Sequence, residues 1–175
     1  MNVALGPFMI AALLLIGGGV SKAIRPGDTA NALRVVGVPI PDALVRFGGA
    51  FEAGLGGWAL LASDRVSAVL LVLSYVAFAT FVVIAIARGA PIASCGCFGR
   101  LDTPPSSIHL VVDAVAVMAG IAVAIDPGDG FFRVVEDQTM YGAPYIVLLV
   151  LGGVCAMVAL SVLPRALSSL PTLDD

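Results

Sequence analysis

The chain has 175 residues, 59% of them hydrophobic and 12% charged, with a net charge of -3 and a mean hydropathy of +1.05. That much apolar side chain exceeds what one water-facing globule can bury, and it points to an integral membrane protein. Nine basic residues scattered singly form no stripe along a phosphate backbone, and three cysteines are too few for a disulfide-stapled secreted scaffold, so nucleic acid is excluded as a partner and the lipid bilayer becomes the first one.

A hydrocarbon core of ~30 Å takes about 20 helical residues, because lipid offers backbone groups no partners. Five such segments predict an all-α, polytopic transmembrane bundle in one membrane domain. The first span, about residues 3–24, has no charge between Met1 and Ser21. Its positive charges, Lys22 and Arg25, follow the apolar run, so it reads as a retained span and not a cleaved signal peptide.

The stretch "RPGDTANALRVVGVPIPD" then breaks the run. Pro26-Gly27 stops a helix, Asp28 can cap a new one, and Pro39 and Pro41 end it, which predicts a short interfacial helix over 29–36. The second span, about 42–62, carries Arg46 and Glu52. The tight turn "SDR" at 63–65 makes it an antiparallel hairpin with the third span, 66–87.

A cysteine loop, 88–106, contains "SCGCFGR" and ends in "PPSS", which rigidifies and caps the fourth span, 107–125. That span carries His109 and Asp113. An acidic loop, 126–142, sets four acids against one arginine before the fifth span, 143–163. Cys155 within the fifth span reads as a small packing hydrophobe, and the glycine runs at 17–19, 49–57 and 151–156 read as close helix contacts.

Lys22, Arg25, Arg34, Arg46, Arg88, Arg100 and Arg165 fall on one side of this layout and only Arg65 and Arg133 on the other. The positive-inside rule then predicts a plasma-membrane protein with its N-terminus outside, its C-terminus cytoplasmic, and the cysteine loop on the cytoplasmic side.

Glu52 lies near mid-span, where an ionised carboxylate costs roughly 2.5 to 3.5 kcal/mol. It therefore needs the bundle interior and a partner, Lys22 or Arg46, either to shape a polar pocket or to set helix register. His109 and Asp113, four apart, share one helix face one turn deep. One reading makes Asp113 the orienter of a His109 proton acceptor, and the other makes both a satisfied interfacial turn.

Cys95 and Cys97, separated by Gly96, allow three readings. A strained and readily exchanged disulfide is one. A metal site is another, weaker because Cys95, Cys97 and His109 give three ligands at most, so no metal is predicted. Inert thiols in a turn are the third. If the pair exchanges, a thiolate attacks a partner's disulfide or passes electrons toward a membrane carrier such as a quinone, with His109 taking the proton.

"SCGCFGR" after the third span, "GGVSKAIRP" closing the first and "GGAFEAGLGGWALL" in the second together resemble the MauE/DoxX family of redox-associated membrane proteins, over roughly residues 5–125. The resemblance implies a four-helix core, here followed by a fifth span. It also implies an accessory role beside a thioredoxin-like or other oxidoreductase during maturation of another protein, with Cys95 and Cys97 as the exchanging pair and Lys22 and Glu52 as the family's polar membrane residues. The fourth span departs from it: "HLVVDAV" stands where relatives often carry an Arg-Asn pair, so any role for His109 and Asp113 comes from the residues alone. The family's extracytoplasmic maturation work also sits against a cysteine loop that the charges turn inward. The alternative function is a non-catalytic accessory or structural subunit of a larger membrane complex, a transporter or respiratory assembly. A transporter built around Glu52 itself is weaker, because no inverted halves are visible.

Overall fold

The computed structural model describes residues 3–89 and 104–163, and among these every regular element is helical. The unbroken apolar run forms α1, Leu5–Ile24. It stops where Pro26 drives Arg25 out of helical geometry, to φ -129° and ψ 68°. The same proline then opens α2, Pro26–Val35, with Asp28 in its first turn and Arg34 in its last. The expected interfacial helix exists, but Pro26 belongs to it: a proline lacks only an N–H that the first helical turn does not use.

Pro41, extended, precedes α3, Asp42–Ala62, and Ser63 ends it in the left-handed region at φ 48°. One residue on, Asp64 accepts the Ser67 backbone N–H at 2.8 Å and caps α4, Arg65–Ala87. This two-residue connection produces the expected antiparallel hairpin. α5 covers Ser107–Ile125. The segment 126–142, expected as a loop, holds a short helix α6, Phe131–Glu136, and a 3-10 turn, Thr139–Gly142, because "FFRVVE" supplies apolar contacts at helical spacing, with Val134 buried. α7 covers Ala143–Ser161.

Four helices, α1, α4, α5 and α7, are long and apolar enough to cross a bilayer, and the protein is a multi-pass membrane protein. The expected second span, α3, is not among these four. It has 21 residues, about 31 Å at the helical rise, but Asp42, Arg46, Glu52 and its glycines lower its hydropathy.

The most extensive interface joins α1 to α3, antiparallel, and the next joins α4 to α5. Backbones meet in the first: a Cβ on Gly19 would lie 2.5 Å from the Ala53 nitrogen and the Gly49 oxygen, and one on Gly56 would lie 2.7 Å from the Ala12 oxygen. Phe8, Met9, Leu15, Leu71 and Val123 are fully buried where these pairs converge. α7 runs beside α1, with Leu149 in the core and Tyr145 Oη donating to Met9 Sδ at 3.2 Å. Outward side chains such as Phe47, Phe51, Trp58, Leu73, Leu148 and Leu151 are exposed, as a lipid-facing surface requires.

This topology gathers the start of α1, the Ser63-Asp64 turn and residues 126–142 at one end of the bundle. At the other end lie α2, Arg88 and Pro104 to Ser106. There α2 is pinned to α4: Ala32 and Val36 pack on Ala85 and Phe81, and Arg88 Nη1 donates to the Val36 carbonyl. Cys95 and Cys97, with Arg100 and Arg165, lie outside the described residues.

Candidate functional site

The end that carries α2 also holds the buried Lys22, His109 and Asp113. Lys22, in the last turn of α1, is 6% exposed, and its Nζ donates to Glu52 Oε2 on α3 at 2.7 Å. The ammonium lies 4.1 Å from the ring centroid of Phe78 on α4, a cation–π contact that partly replaces lost hydration. A Cβ on Gly49 would stand 2.7 Å from Lys22 Cβ. The glycines that sequence reasoning gave to packing alone are therefore what lets the two charges meet.

Arg46, the other partner considered for Glu52, is exposed on α3. Six residues separate it from Glu52, about 600° of helical rotation, which leaves the two on different faces of the helix.

α5 contributes from the opposite side. His109, 5% exposed, and Asp113, 7% exposed, are both buried and lie on one face. Ser106 Oγ is 2.9 Å from His109 Nδ1. Ser106 was expected to cap the α5 backbone, yet its side chain makes no capping bond; the hydroxyl seen to orient the imidazole is thus that of Ser106. Asp113 Oδ2 is buried and has no hydrogen-bond partner among the described residues.

Lys22, Glu52, His109 and Asp113 line one cavity of about 40 Å³ together with Tyr75 and Phe78. That volume has room for a small number of waters, and in a mostly apolar lining these four side chains are the groups that could bind them. Leu160 of α7 closes it on a further side. Tyr75, which sequence reasoning missed, donates its hydroxyl to the Ala11 carbonyl at 2.7 Å and fastens α4 to α1 beside the cavity. Its signal was only a single tyrosine in an otherwise apolar span. Among the described residues no group of three or more His, Cys, Asp and Glu is arranged to hold a metal.

A membrane-embedded helical bundle that buries an ion pair and a His–Asp face around one small cavity defines the class of protein. Within that class the chain belongs to the MauE family: a family model described as methylamine utilisation protein MauE matches residues 2–126. The match covers α1 to α5 and stops before α6 and α7. Neither the curated proteins nor the solved structures include a significant match.

Proposed function

We propose that this protein is a membrane-embedded accessory protein that exchanges thiols and disulfides through Cys95 and Cys97 for a maturation partner, a thioredoxin-like oxidoreductase or a larger membrane complex. The coarser part, a multi-pass membrane protein with an accessory role in methylamine utilisation, follows from the family match and the apolar helices. The finer part is supported by one observation. The segment that contains the cysteine pair leaves the described chain at Gly89 and returns at Pro104, directly before Ser106 and His109. A buried imidazole oriented by a hydroxyl, one turn from a buried carboxyl, suits a proton acceptor for a thiol.

In this reading α3 is a fifth crossing. Its outward side chains Leu44, Phe47, Phe51, Trp58 and Leu61 are apolar, and Glu52 is turned inward to Lys22. Arg25, Arg34, Arg46 and Arg88 collect at the α2 end, which favours a cytoplasmic position for that end in the plasma membrane. There the dithiol is held mostly reduced and acts by transient exchange.

Alkylation of the protein in membranes poised across a range of redox potentials tests the chemistry. The peptide carrying Cys95 and Cys97 should change mass with potential; thiols that stay free throughout would end the redox reading. In that case the non-catalytic subunit remains, and Cys95→Ser with Cys97→Ser should leave complex assembly intact. Labelling with an impermeant maleimide from each side of the membrane tests the orientation.

A further inference from the structure

Lys22 and Glu52 also line a second, larger space of about 200 Å³, an open groove between α2, α3 and α4. Its walls are mostly apolar, with Leu33, Leu44, Val45 and Phe81 among them; Thr29 also lines it, and the Lys22–Glu52 pair forms its charged floor. The ion pair is thus shared by the two cavities. Leu44, at 59% exposed, stands at the mouth, on the face that turns toward lipid. The space is below the roughly 300–1,000 Å³ of a drug-sized site, so it takes one ring and leaves any tail outside.

The floor limits the ring's chemistry. The Lys22 ammonium carries three protons, of which Glu52 Oε2 takes one. The Glu52 carboxylate beside it is an acceptor with lone pairs to spare. A donor and an acceptor 2.7 Å apart serve a ligand oxygen in both of its redox forms, as a carbonyl that accepts from Lys22 and as a hydroxyl that donates to Glu52. A saturated acyl chain uses neither, and a strongly anionic head would compete with Glu52 for Lys22.

We propose that this groove binds the ring of a membrane-soluble quinone, with Lys22 and Glu52 as the polar contacts to one ring oxygen. As the electron acceptor of Cys95 and Cys97 the quinone rests on the redox reading above; as a ligand of the groove it does not. In that exchange the two thiols lose two electrons and two protons as one S–S bond forms, and the two ring carbonyls take both and become hydroxyls.

Gly48 provides the test, because it lines the groove and a Cβ there meets nothing within 4 Å. Gly48→Leu should fill the space without disturbing the helix contacts that Gly49 makes. Gly54, where a Cβ also meets nothing within 4 Å, lies outside the groove lining, and Gly54→Leu is its control. The purified full-length protein in mild detergent is titrated with decylubiquinone and, separately, with decanol, and thermal unfolding is followed. Decylubiquinone should raise Tm saturably by several degrees, decanol should not, Gly48→Leu should abolish the rise and Gly54→Leu should keep it. Should Gly48→Leu prove too unstable to read, Leu44→Trp, which narrows the exposed mouth, should weaken decylubiquinone binding at least tenfold. An equal rise with decanol, no rise with decylubiquinone, or a rise that survives both groove substitutions overturns the proposal. The Cys95→Ser, Cys97→Ser protein is titrated in parallel. Binding that persists in it while alkylation finds no redox change leaves the groove standing without the exchange chemistry; lost binding in the wild type alongside a clear redox change leaves the exchange with another acceptor.

Discussion

Lys22 Nζ and Glu52 Oε2 stand 2.7 Å apart between two helices, 30 positions apart in sequence, with both side chains largely withdrawn from the surface. Removing one member of such a pair leaves the other charge without its partner in a low-dielectric setting, at a cost of about 3–5 kcal/mol. Glu52→Met and Lys22→Met singly are therefore each expected to lower stability by about that amount, somewhat less for Lys22→Met, since it leaves the partly exposed Glu52 as the unpaired charge. The paired change Lys22→Met with Glu52→Met should recover most of the loss, because the charge to be desolvated is gone. A double-mutant cycle on denaturant or thermal unfolding in detergent measures this coupling. Additive losses would show that the two side chains do not act as a pair.

Gly49 permits the approach of α1 that joins those charges. Gly49→Ala places a methyl 2.6 Å from the Gly19 oxygen and 2.7 Å from Lys22 Cβ, and because the obstruction is backbone on both helices, neither can yield locally. A loss of about 1–3 kcal/mol is expected from overpacking, whereas Gly54→Ala, in open space, should be neutral or slightly stabilising through helix propensity. Thermal unfolding of the two variants side by side decides it.

His109 is oriented by Ser106. If the imidazole takes the thiol proton, His109→Gln should slow exchange of Cys95 and Cys97 with a small disulfide by about 10²-fold at neutral pH. Ser106→Ala should slow it less, through looser ring orientation. Unchanged unfolding of Ser106→Ala within about 1 kcal/mol would separate this chemical role from a structural one, and equal exchange rates for all three proteins would remove His109 from the mechanism.

Arg88 ties the last carbonyl region of α2 to α4 through Val36, supported by the Ala32, Val36 and Ala85 cluster. Arg88→Ala should loosen α2 without unfolding the bundle. Amide exchange is expected to rise in Pro26 to Val35 and to stay unchanged in α5. A global rise would mean that α2 is integral to the core.

At the opposite end, Asp64→Ala removes the acceptor for the Ser67 amide and should cost about 1 kcal/mol, the usual worth of an N-cap. Redox behaviour of the cysteines should not change, since the cap lies a full helix length from Lys22 and His109.

Most of the helical layout was written in the chain. Uninterrupted apolar runs of membrane length can satisfy their backbones only as helices, so α1, α4, α5 and α7 were legible from hydropathy alone, and the tight turn at 63–65 marked the hairpin. The need of Glu52 for an interior partner was legible too, because no exposed carboxylate is tolerated at mid-span. Local signals were read less well where one residue can play two parts. Pro26 reads as a stop and serves also as a start, and "FFRVVE" reads as loop because six residues carry little periodicity.

Sequence by itself thus determined that this protein is a helical membrane bundle with a few charges that must find partners inside it. Only the tertiary structure decided which partners. Lys22 rather than Arg46 meets Glu52, because glycine contacts between α1 and α3 fix the helix faces; Ser106 turns from the backbone to His109; and Tyr75 and Phe78, unremarkable in an apolar run, become walls of the polar cavity. Each of these depends on distances between helices, and those are set by packing across the bundle and not by any local preference of the residues concerned.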